Sequence, residues 1–81
     1  MSYEFVNETW GNVRVGDTVK VWWAPRRDTV TAFEPYDGKL AHFWPAGVRI
    51  ARFAILTGGM TVGNDEDVSV LRAMPQEVVT P

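Results

Sequence analysis

Eighty-one residues make one domain, and a chain this short buries only about 60–65% of the surface its unfolded form exposes, so its single core is thin. Four Trp, four Phe and two Tyr are present but no Cys, which excludes disulfides and thiolate metal sites and leaves packing alone to hold the fold. A net charge of −2 is not the strong basic field of a general DNA binder.

That charge is uneven. Between residues 14 and 52, seven basic residues stand against four acidic ones; Glu4 and Glu8 precede them, and Asp65, Glu66, Asp67 and Glu77 follow, against Arg72 alone. The start, MSYEFVNETWG, lacks the basic n-region and apolar h-region of a signal peptide. No apolar run approaches the roughly 20 residues of a membrane span, because Arg49 and Arg52 break the longest candidate. A cytoplasmic protein without membrane contact is expected.

In chain order, short β-rich runs alternate with Gly and Pro punctuation, and no apolar stripe of period 3.6 lasts three turns. In VRVGDTV, Gly16-Asp17 makes a tight turn into a first strand over Thr18 to Trp23. Alternation puts Val19, Val21 and Trp23 on one side of it, with Thr18, Lys20 and Trp22 on the other. APRRD, Ala24 to Asp28, is a loop in which Pro25 fixes φ and Asp28 bonds its own backbone. A second strand runs from Asp28 to Glu34, with Val30 and Ala32 facing one way and Thr29, Thr31 and Phe33 the other. Asp37-Gly38 turns the chain, and Lys39 to Trp44 is a short strand or an irregular crossing. Val48 to Leu56 is a third strand whose apolar phase switches, which predicts a β-bulge near Ala51-Arg52 or burial on both faces. Met60 to Val62 and Val68 to Leu71 complete the set, and residues 75–81, between two prolines, form a loosely held tail on a domain of residues 1–74.

Five short strands around one core predict a mostly-β, single small five-stranded barrel. VRVGDTVKVWWAPRRDTVTAFEPYDG, residues 13–38, resembles the opening hairpin of SH3-like barrels, including the translation-associated KOW type, in which V-x-x-G-D-x-V-x-V precedes a second strand. The loop carries Pro25, Arg26 and Arg27 where the KOW pattern has glycines. An OB-like barrel satisfies the same strand order. A short chain without repeats is also similar in general look to small phage- and prophage-encoded proteins.

Paired indoles beside paired guanidinium groups are the strongest functional signal. Trp23, in phase with Val19 and Val21, belongs to the core, whereas Trp22 shares its face with Lys20 and is expected to meet Thr31 or Phe33 across the hairpin. Trp22 and Phe33, with Lys20, Arg26 and Arg27, would make a half-apolar, half-cationic platform suited to a protein partner or to unpaired bases. Against this stand two plain alternatives: the N-terminal segment, through Tyr3, Phe5 or Trp10, covers Trp22, and the arginines form a solvated turn paired with Asp28.

Other chemistry is thinly represented. His42 is the only histidine and too few for a structural zinc site, so it is expected to be partly buried and hydrogen-bonded. Ser2 and Ser69 are the only serines and no G-x-S-x-G element exists. Asn64-Asp65-Glu66-Asp67 lacks calcium-loop spacing and reads as an acidic hairpin turn; the glycines of LTGGMTVGN lack the G-K-[ST] of a phosphate loop. The expectation is a non-enzymatic protein-interaction domain without cofactor or metal, in the phage setting a modulator of a host macromolecule. Its nominated contacts are Trp22, Arg26, Arg27, Phe33 and Lys20. The alternatives are a single-stranded nucleic-acid-binding module and a self-associating structural subunit.

Overall fold

The computed structural model describes residues 2–74, and the tail expected at 75–81 lies outside them. Strands β1 (Ser2–Thr9), β2 (Thr18–Lys20), β3 (Arg27–Pro35), β4 (Val48–Phe53), β5 (Met60–Gly63) and β6 (Asp67–Met74) are joined by loops and two 3-10 turns, Trp10–Asn12 and Ala41–Phe43. All pairings are antiparallel, in one unclosed sheet of order β1-β6-β2-β3-β4-β5. The mostly-β expectation holds. The count of five does not, because β1 is a strand in its own right.

β1 escapes pattern reading because its inner face is polar. Glu4 and Glu8 sit on the same side as Val6, and their cross-strand partners in β6 are Arg72 and Val68. Arg72 holds that face together by bonding both Glu8 and Asp17, the latter at 2.8 Å. The two carboxylates, Asp17 first, raise the Arg72 pKa further despite partial burial. Ionic partners replace the apolar alternation that would have marked the strand.

The lead-in to β2 is the turn its sequence suggests. Asp17 N–H donates to Arg14 O at 3.0 Å, and the Asp17 carboxylate accepts from Arg14 N–H at 2.8 Å. Gly16 stands at φ +98, a conformation in which a Cβ would be strained. β2 is shorter than expected, ending at Lys20 rather than Trp23.

β3 is the long strand of the fold, pairing with β2 through its first residues and with β4 through its later ones. Between Val30, opposite Phe53, and Ala32, opposite Arg52, the register shifts by one. Thr31 is the extra residue, so the anticipated bulge exists on the facing strand instead of within β4. It reverses the parity expected for Phe33. Val30 and Phe33 both turn to the core, where Trp10, Val13, Val19, Val30, Ala51, Phe53, Val62, Val68 and Val70 are buried. Phe53 is the largest fully buried side chain, with Trp10 and Trp23 edge-on to it at 6.2 and 5.1 Å. The segment Lys39 to Trp44 is not a strand but an irregular crossing around the second 3-10 turn.

Candidate functional site

The site is built at the tip of the β2–β3 hairpin. Val21 N–H donates to Arg26 O at 3.2 Å, and Arg26 N–H donates to Trp23 O at 2.7 Å, closing a four-residue turn over a cis Ala24-Pro25 bond. Arg26 completes the turn at φ +76 and lays its guanidinium on Trp22 O at 3.0 Å. Because β2 has already ended, a bend and not strand alternation separates the indoles. Trp23 turns inward onto Phe53, while Trp22 stands outside, 71% exposed. The rings meet edge to face at 5.3 Å and 88°.

Trp23 is held by Asp28, the one buried charged side chain among the described residues, 3% exposed. Its carboxylate accepts from the Trp23 indole N–H (2.8 Å), from the N–H of Thr29 (2.8 Å), and from the N–H groups of Ile55 and Leu56 (3.0 and 2.9 Å). Burial pushes the Asp28 pKa up, but these hydrogen bonds to the charged form outweigh it and leave the net shift downward. The expected bond from Asp28 to its own backbone is replaced by one from the N–H of the next residue, Thr29. The expected pairing with Arg26 or Arg27 does not form, since the carboxylate faces the loop after β4. Its parity with Val30 was the sequence signal for an inward acid.

Above Trp23 lies an open groove of about 500 Å³. Trp10, Val21, Trp22, Trp23 and Met60 supply its apolar lining, with Lys20 and Asp67 as charged groups and the start of β6 as one wall. It exists because β2 stops at Lys20 while β6 begins at Asp67, with a single β2–β6 pairing at Val19–Val70. Three of the four tryptophans therefore share one concavity. Trp10 and Met60 were not legible as contributors, since each comes from a different part of the chain.

Lys20 lines the groove together with Asp67, and Arg26 and Arg27 lie beside it on the hairpin. Lys20 and Arg27 are directly opposed across the hairpin, an arrangement that costs stability between like charges. Phe5 of β1 offsets it, with Lys20 Nζ 5.0 Å and the Arg27 guanidinium 5.9 Å from its ring centre. Lys20, Arg26 and Arg27 are exposed, and none makes an ion pair among the described residues.

Of the nominated residues, Lys20 and Trp22 line the groove, Arg26 packs on the Trp22 backbone, and Arg27 joins Lys20 over Phe5. Phe33 does not join them. Lying six residues beyond Arg27 on β3, it is about 20 Å farther along the strand, where the Arg49 guanidinium covers its ring at 3.8 Å. Arg49 also donates to Trp10 O and Asn64 Oδ1, so Phe33 belongs to the packing of the far end. Nor does the N-terminal segment cover Trp22, which stays exposed: Phe5 lies beneath Lys20 and Arg27, and Asn7 and Trp10 line the groove beside the indole.

His42 is exposed, not partly buried, with Nδ1 3.0 Å from Lys39 O. Glu66 caps its own hairpin turn, accepting from Gly63 N–H at 2.6 Å. No grouping of three metal-ligating side chains occurs among the described residues, and none of their helices is long and apolar enough to cross a membrane. No family model, curated protein or solved structure matches the chain.

Proposed function

We propose that this chain is a non-enzymatic protein-interaction domain that binds a partner segment in the groove at the β2–β3 tip. The observation that carries it is Trp22. A large side chain left 71% exposed beside an apolar concavity adds little to the free domain beyond its edge contact with Trp23, whereas tryptophan is enriched among the residues that anchor interfaces. The unpaired Lys20, Arg26 and Arg27 set the chemistry of the partner: an apolar or aromatic side chain to enter the groove, with carboxylates beside it. The scaffold proposed for the domain is SH3-like in connection, with β6 returning to β2 and the bulged β3 serving both halves of the unclosed sheet.

Selection from a displayed peptide library tests this directly. Sequences joining an aromatic residue to acidic neighbours should be enriched and should lose binding to the Trp22→Ala and Arg27→Ala variants. Failure to enrich any sequence, or enrichment indifferent to both substitutions, overturns the reading. The exposed indole among cations also suits stacking on unpaired bases. That second reading requires oligonucleotide binding that falls steeply as salt rises.

A further inference from the structure

The two edges of the sheet are treated very differently. β5 has four residues, and the turn after it is already bonded by the N–H groups of Trp10 and Gly11 to Glu66 O and Asn64 O, at 3.0 and 2.9 Å. β1 has eight residues, pairs with β6 without interruption from Ser2–Met74 to Thr9–Asp67, and contains no proline, lysine or bulge. Among the described residues nothing pairs with its other edge. Its only charges are Glu4 and Glu8, and Glu8 is already paired with Arg72 of β6, so most of its outer row of N–H and C=O groups is left open to another strand.

We propose that β1 is a homodimerisation edge, pairing antiparallel with β1 of a second copy about a two-fold axis through Phe5. Charge placement and the length of strand paired together select the register, since centring on Tyr3 or Asn7 would pair only the ends of β1. A two-fold axis perpendicular to the sheet keeps the core faces of both copies on one side and pairs residues of equal parity. Centred on Phe5, it sets Ser2 against Glu8, Tyr3 against Asn7 and Glu4 against Val6 of the other copy, with Phe5 meeting Phe5. No like charges are opposed. Centring on Glu4 would set that carboxylate against its own copy, and centring on Val6 would set Glu4 against Glu8; both arrangements are unfavourable. The Phe5 register also brings together outward-facing aromatic surface, since Tyr3 is exposed and Phe5 half-exposed on that face. Pairing would further brace the outer β1–β6 ribbon, which shares only one ladder pairing with β2, at Val19–Val70.

Sedimentation of the full chain tests the inference without any partner present. A dimer is expected at tens of micromolar. Tyr3→Glu with Asn7→Glu opposes carboxylates twice across the axis and should weaken association about tenfold. Tyr3→Glu with Asn7→Lys opposes opposite charges and should retain the dimer. The two positions lie on one face of β1, four residues and about 13 Å apart, so the two variants differ little within a single copy; circular dichroism confirms that both are folded. A monomeric full chain overturns the proposal, as does equal weakening by both variants. A full chain that stays monomeric but dimerises when residues 75–81 are deleted also overturns it, by assigning the edge to the tail.

Discussion

The Trp23 indole N–H donates to Asp28 Oδ2 at 2.8 Å, and through that carboxylate the floor of the groove is fastened to the backbone of Ile55 and Leu56. One residue of β3 thus positions both the hairpin tip and the loop after β4. Asp28→Asn replaces an acceptor-only group with one that presents N–H to N–H, and should cost about 2–4 kcal/mol. Urea unfolding measures this, and a cost below about 1 kcal/mol would contradict the assignment.

Acid should act through the same carboxylate. The folded pKa of Asp28 is lowered, so its contribution is complete above the unfolded value near 4 and is lost as pH falls through the lower folded value. Thermal melts from pH 6 to pH 2 should show the gap between the parent and Asp28→Asn narrowing at the acid end. A gap constant across that range would mean that the carboxylate is not the group responsible.

Binding and stability should separate at two aromatic positions. Trp22→Ala removes a mostly exposed ring and should change stability by no more than about 0.5 kcal/mol, while lowering affinity for a selected peptide at least about tenfold. Phe33→Ala opens space beneath Arg49 and should cost about 2–3 kcal/mol, with peptide affinity unchanged. Isothermal titration beside urea melts reads both quantities.

The bulge makes an asymmetric deletion experiment. Removing Thr31 leaves Val30 and Phe33 both inward, because the remaining residues then alternate, and should cost only the bend, about 1–3 kcal/mol. Removing Thr29 turns Asp28 outward relative to Val30, and that chain should not fold. Equal effects of the two deletions on the melting curve would argue against Thr31 as the extra residue.

Much of this arrangement was legible in the sequence. The Gly16-Asp17 turn, the inward Val19 and a bulge in the β3–β4 ladder follow from turn chemistry and period-two patterning, whereas Trp22 and Trp23 part as alternation predicts but through a bend after β2 has ended. What stayed hidden depends on partners distant in sequence. β1 could not be seen because Arg72 compensates its inner-face Glu8 from the other end of the chain. Phe33 was assigned to the wrong face because one residue of bulge inverts every parity after it, and the sequence does not say which strand of a pair carries the extra residue. The groove was invisible for a simpler reason: it is a gap left where β2 stops short.

The perpendicular contact of Trp22 with Trp23 makes the domain its own optical gauge. An indole in water emits at longer wavelength than one in a core, so a segment settling on Trp22 should shift its emission toward the blue and quench it, with no label attached. Trp22→Phe supplies the blank. The same titration reports whether the chain's own association reaches the hairpin tip, since pairing along β1 alone would leave that emission where it was.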